Sequence, residues 1–247
     1  MRNAFVMVIG LAAMLSLPAT ARAQDDVAVQ GRWSLSIRGG ADLPLGGDVH
    51  AGGVGTVLGL PTTVNARGYG DVYGTAFRSE AQLGYGVSDR VELFLGGAYQ
   101  KKSADRLQVG DVAGLSLNAQ FADYDEIGIE AGMRYFLAPW SSLKPYVTVM
   151  GGARFLEANS PTFTVPAASV TLSDVPFYDS STVGTVAAGA GLRYDLSRSF
   201  GLGVETVARY QGKPDNLVTL SGTGLESINE AGDRWSMPVL FTVTARF

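Results

Sequence analysis

Every second residue is apolar over the last fourteen positions of the chain, RWSMPVLFTVTARF. Trp235, Met237, Val239, Phe241, Val243, Ala245 and Phe247 fall in one phase. Arg234, Ser236, Pro238, Leu240, Thr242, Thr244 and Arg246, mostly polar or small, fall in the other. A strand turns successive side chains to opposite faces, so this alternation separates an apolar medium from a polar one. Strands of soluble sheets are usually about half as long. A helix would scatter the same residues around its whole circumference.

Seven further stretches repeat the pattern. The first is GRWSLSIRGG, with Trp33, Leu35 and Ile37 opposite Ser34, Ser36 and Arg38. The second spans about Thr75 to Val87, with Ser79 interrupting its apolar face, and the third starts at Val91. The fourth spans about Asp125 to Leu137 and the fifth is centred on Val147 to Phe155. The sixth spans about Thr182 to Tyr194 and the seventh runs from Phe200 to Tyr210. The links after strands two, four and six are a few residues long. Those after one, three, five and seven run to about twenty residues or more. An even strand count with alternating short and long links predicts an all-β, eight-stranded antiparallel up-and-down transmembrane β-barrel. The terminal strand then closes against GRWSLSIRGG, which removes the free edge.

The aromatic residues agree. Trp33, Tyr85, Tyr135, Trp140, Tyr194, Phe200 and Phe247 collect at the short-turn end, and Phe77, Tyr99, Phe155, Tyr210 and Trp235 at the long-link end. Two such girdles mark the two membrane interfaces. A soluble lipocalin-like barrel would turn its apolar face inward and has no reason to sort its rings this way.

The N-terminus adds a destination. Residues 1–23 carry Arg2, an apolar run from about Phe5 to Leu17, Pro18, and a close on Ala21-Arg22-Ala23. This is the pattern of a cleaved secretory signal, and its apolar run is short for a membrane helix. Residues 24–247 are then the barrel domain. Cysteine is absent, so there is no lipobox, disulfide or thiolate metal site. Removing the signal takes two of the 19 basic residues and none of the 23 acidic ones, leaving a net charge of −6. That charge disfavours nucleic acid as a partner.

Strand parity sends Arg38, Arg78, Glu80, Glu92, Glu126, Glu130, Arg134, Arg154, Arg193, Glu205 and Arg209 to the interior. Eight strands leave a lumen just wide enough for side chains to fill. Mixed charges there are tolerable as a hydrogen-bonded network. Two pairs are expected across the short turns, Arg193 with Glu205 and Glu126 with Arg154. The network reads either as a plug or as a polar conduit.

Four segments carry a family resemblance: LGYGVSDRVELFLGGAYQ, IGIEAGMRYFL, GAGLRYDLSRSFGLGVETVARY and the tail. Over the whole mature chain they resemble the small bacterial outer-membrane β-barrels of the OmpA transmembrane-domain, OmpX and OmpW kind. The resemblance implies the outer membrane of a Gram-negative bacterium, with both termini periplasmic. It also implies that Phe241, Val243, Ala245 and Phe247 form the signal read by the barrel-assembly machinery. No peptidoglycan-binding domain is expected after the eighth strand.

Candidate chemistry is sparse. His50, the single histidine, lies in GGDVHAGGVG with Asp48 nearby but no serine in the first long link. The components of a hydrolytic triad are therefore not together. The Gly-rich segment lacks the Lys-Ser/Thr ending of a phosphate loop. Asp123, Tyr124, Asp125 and Glu126 lack the spacing of a calcium loop. No cofactor, metal site or enzymatic activity is expected. Lys101, Lys102 and Arg106 open the second long link and are candidates to meet lipopolysaccharide phosphates. Two functions stay open: a structural or surface-interaction barrel, and a narrow passive channel for small or hydrophobic solutes. Val54, Val57, Leu58, Leu60, Phe163, Val165, Val170 and Leu172 either line a hydrophobic funnel or extend strands above the membrane.

Overall fold

A computed structural model describes residues 29–217 and 222–247. The expected signal segment lies outside the described residues. Eight long strands alternate along the chain: β1 (Trp33–Gly46), β2 (Ala76–Gly86), β3 (Val91–Lys102), β4 (Tyr124–Phe136), β5 (Leu143–Leu156), β6 (Ser181–Asp195), β7 (Phe200–Gln211) and β8 (Arg234–Arg246). Each pairs antiparallel with its neighbours in sequence, and β1 pairs with β8, so the barrel is closed and up-and-down. The closing register sets Ser34 opposite Arg246 and Ile37 opposite Val243. Trp33 and Phe247 exchange two backbone hydrogen bonds of 3.0 Å each.

Several strands outrun the alternating pattern. β1 continues past Gly40 to Gly46, with a register shift between Pro44 and Gly46. β3 continues to Lys102.

The outer face is apolar and exposed, as at Ile37, Leu95, Ile129 and Val186. Buried groups line the inside, so the polarity of a soluble barrel is inverted, as a bilayer solvent requires. Rings of the two girdles meet across strands. Trp33 lies 4.9 Å from Tyr85 at the short-turn end, and Tyr210 lies 5.4 Å from Trp235 at the other.

One device shapes the three short turns. The Ser88 hydroxyl accepts the N–H groups of Arg90 and Val91 at 3.3 and 3.1 Å. Ser141 accepts from Leu143 at 3.3 Å, and Ser197 from Ser199 and Phe200 at 3.2 and 3.0 Å. Each serine supplies the acceptor that a tight reversal lacks.

The long links continue as strands. A six-stranded sheet stands above the barrel in the order Val170–Leu172, Thr162–Val165, Leu115–Gln120, Leu107–Val112, Leu60–Val64, Gly53–Val57. A two-stranded ribbon joins Asp48–His50 to Arg67–Gly68, and a single helical turn, α1 (Tyr69–Val72), follows. This cap has its own core, in which Phe121, Phe177, Val109, Val49, Leu225 and Ile228 are buried. Buried amides tie the links together. Asn159 Nδ2 donates to Tyr73 Oη at 3.2 Å and to the Ala122 carbonyl at 2.9 Å. Asn229 Nδ2 donates to the carbonyls of Phe177, at 3.0 Å, and Leu217.

Candidate functional site

All eleven charges expected in the lumen are there, each 5% exposed or less. They form a ladder of alternating sign. From the short-turn end, Arg193 lies 3.8 Å from Asp195 and 3.0 Å from Glu92. Arg134 joins Glu92 at 2.7 Å to Glu205 at 3.3 Å. Arg38 joins Glu205 to Glu80, the latter at 2.8 Å. Arg78 joins Glu80 at 2.5 Å to Glu130 at 3.3 Å. Arg154 joins Glu130 at 2.5 Å to Glu126 at 3.7 Å, and Arg234 joins Glu126 to Asp42, both at 3.1 Å. Arg209 also pairs with Glu130. A lone buried charge is costly, but here nearly every group has opposite charges on both sides and further hydrogen bonds from Gln82, Gln100 and Tyr146.

Inward-facing glycines make room for long side chains. A Cβ on Gly128 would stand 2.4 Å from Arg154 Nη1, and one on Gly191 would stand 2.4 Å from the Tyr146 ring. Two polar voids lined by lumen residues are about 10 Å³ each, the scale of a single water.

Two expectations are corrected. Arg193 and Glu205 do not pair: β6 and β7 set Arg193 opposite Gly203 and Glu205 opposite Gly191. Parity assigned the face correctly, but the long side chains reach other strands instead. Lys102 does not face lipopolysaccharide. It is 3% exposed, and its ammonium donates to Glu126 at 2.7 Å and to Tyr124 Oη at 2.9 Å. β3 runs one residue beyond Lys101, and alternation turns Lys102 inward. Lys101 remains on the outer face opposite Phe77 and Asp125, while exposed Arg106 donates to Thr164 Oγ1 at 2.7 Å. The acidic run 123–126 is split: Asp123 accepts the Ala104 N–H at 2.9 Å, whereas Glu126 is in the lumen.

Sequence reasoning missed Asp42, Lys102, Lys144 and Arg234 as lumen charges. Lys144 and Arg246 close the short-turn end on Asp195, at 3.0 and 2.8 Å. The alternation of the tail already placed Arg234 and Arg246 in the inward phase.

Tyrosines separate lumen from cap. Tyr69, Tyr73 and Tyr124 stack over the upper rungs, with Tyr73 and Tyr124 at 5.2 Å and Arg234 5.6 Å from the Tyr69 ring. Burial pushes the Tyr69 phenol up to about 12, so it stays protonated. His50 is in the cap core at 2% exposure, 5.8 Å from Phe121 and 6.4 Å from Phe177. Its Nδ1 is 3.0 Å from the Ala51 carbonyl. Burial holds its imidazole below the usual range, with Arg67 adding to the effect and the Ala51 carbonyl and Asp48 opposing it.

No protein-family profile matches this sequence, and no curated protein does. Among solved structures, outer membrane protein OprG from Pseudomonas aeruginosa is similar at 12% identity. That match covers 92% of this chain and 99% of OprG, with a TM-score of 0.42. Neisserial surface protein A is similar at 14% identity over 88% of this chain and 98% of its own, with a TM-score of 0.41. Outer membrane protein AlkL is similar at 15% identity over 94% and 95%, with a TM-score of 0.41. These are likenesses at low identity, and the closed eight-stranded order rests on this chain's own ladders.

Proposed function

We propose that this chain is a non-enzymatic barrel of the Gram-negative outer membrane with a structural and surface-interaction role. In this reading the short turns and both chain termini face the periplasm, and the cap faces outward. The observation that carries it is the ladder: a lumen filled from Asp195 to Asp42 by paired, buried charges is a plug. The working surface is then the cap, which holds all four long links in one packed body. Of the three candidate cations, Lys101 and Arg106 are left outside to meet lipopolysaccharide phosphates. Phe241, Val243, Ala245 and Phe247 serve as the segment met by the assembly machinery.

The test is single-channel recording on refolded protein in planar bilayers, paired with envelope fractionation. The expected result is outer-membrane recovery and no conductance steps. Discrete steps from wild-type protein would favour the narrow passive channel instead.

A further inference from the structure

The cap sheet walls an open apolar cup with a volume of about 180 Å³. Val64, Leu117, Val165 and Leu172 line its wall, with Leu225 and Ile228 from the fourth link. Thr62 brings the one hydroxyl, and that hydroxyl already donates to the Leu60 carbonyl at 3.1 Å. Donation aside, that hydroxyl can still accept, so the side chains offer a ligand in this cup a single polar atom. Water needs two to four polar partners, more than these side chains supply. An engineered apolar cavity of about 150 Å³ stays dry and takes up benzene, so this volume suits a short hydrocarbon segment rather than a whole lipid.

The rim carries an independent mark. Two two-residue hairpins stand side by side at the cup, Val57 to Leu60 and Val112 to Leu115. Both central residues of each take positive φ: Leu58 at 53° with Gly59 at 78°, and Ala113 at 51° with Gly114 at 80°. Such turns favour Asn, Asp or Gly at the first position, and a leucine there is strained. Leu58 is nevertheless 86% exposed. The conformation therefore holds a large apolar side chain at the mouth, in solvent, at a backbone cost that packing does not offset. Strain that persists in this way points to use.

We infer that the cup binds the alkyl chain of a small single-chain amphiphile, with the chain seated between the sheet and Leu225 and the polar end left at the mouth. The inference rests on the reading of the cap as the working surface, and it supplies that surface with a ligand class. The cup is built from the links, beyond the Phe77, Tyr99 and Phe155 girdle, so its occupant has left the bilayer. A small chain fits a cup of this volume better than the broad face of a second protein copy.

The experiment uses the mature chain in lipid nanodiscs with a decanoic acid carrying a photoactivatable diazirine, followed by peptide mapping. Adducts are expected on the segments holding Leu117, Val165 and Leu225, and excess unlabelled decanoate should remove them. Adducts on lipid-facing Leu95 and Ile129 should persist, because they report partition into the bilayer. Val165→Trp fills the cup and Leu117→Arg charges it. Either, in a variant whose barrel remains folded, should lose the competable cap adducts and keep those on the strands. Cap labelling that is absent, that decanoate does not compete, or that survives both substitutions overturns the site. So do cross-linked dimers without cap adducts, which would make a second copy the occupant. A silent bilayer recording together with failed labelling sinks only the hydrocarbon site, whereas conductance steps sink the plug reading whatever the labelling shows.

Discussion

Arg193 on β6 reaches across the lumen to Glu92 on β3, at 3.0 Å, and leaves Glu205 on the adjacent strand to Arg38 and Arg134. The ladder thus ties opposite walls together, and its energetic couplings follow contacts across the barrel rather than neighbours along a hairpin.

That geometry predicts two double-mutant cycles with different outcomes. Truncating Arg193 or Glu92 alone should destabilise the barrel, by up to about 3–5 kcal/mol, because each takes one opposite charge from a buried group and leaves Glu92 to Arg134 alone or Arg193 to the more distant Asp195. The Arg193→Ala/Glu92→Ala cycle should show a coupling of about 0.5–3 kcal/mol, and the Arg193→Ala/Glu205→Ala cycle a much smaller one. Urea unfolding in lipid vesicles measures both. Equal couplings would contradict the cross-lumen pairing.

Depth in the membrane can be read from the girdles. Leu95 sits on the outer face midway between Tyr99 and Val91, which pairs with Tyr135. Leu95→Arg should therefore cost about 2–4 kcal/mol, the midplane value for a charge facing lipid. Val186 stands opposite Tyr210, in the long-link girdle, and Val186→Arg should cost about 0–1 kcal/mol. The same unfolding assay ranks the two, and a larger cost at Val186 would misplace the membrane.

The cap should loosen in acid. Burial keeps the folded His50 below the roughly 6.5 of a free imidazole, so the opened cap takes up a proton more readily than the closed one. The stabilisation is complete above about pH 6.5 and is lost as pH falls through that value toward the lower folded one. Hydrogen exchange over residues 47–75 should accelerate from pH 7.5 to pH 5 beyond its intrinsic change. His50→Phe should flatten that response, and an unchanged pH dependence in that variant would remove His50 as its source.

Deletion of Phe247 separates stability from delivery. It removes one exposed aromatic and disturbs the two hydrogen bonds to Trp33, a loss of about 1–3 kcal/mol. The refolded barrel should survive this, while recovery in the outer membrane after low-level expression should fall steeply. Wild-type recovery of the deletion would show that the residue carries no targeting information.

The barrel was legible because each strand borders two unlike media, which writes polarity into every second residue. Parity gave the face of Arg38, Glu80 and Arg154 for the same reason. It could not give their height or reach, since strand stagger and long guanidinium arms decide partners, and so Arg193 was matched to the wrong carboxylate. Lys102 was misread, and Asp42 missed, where strands continue beyond the membrane pattern that identified them. The cap was the least legible part. Strands such as Val170–Leu172 are three residues long and too short to show a period, so their apolar residues read equally as funnel or sheet.

The join between β1 and β8 has a kinetic meaning. Ser36 and Thr244, 208 positions apart, meet across it at 2.9 Å. Arg38 and Asp42 hang from one side of the join and Arg234 from the other. An inserted but unclosed sheet would expose two strand edges to lipid, and it would hold Arg234 away from Asp42 in a medium that tolerates neither defect. Partly zipped intermediates are therefore high in energy. Contacts this distant in sequence also form slowly. Insertion and closure should then proceed as one concerted event, with the last rungs acting as a latch that makes reopening rare.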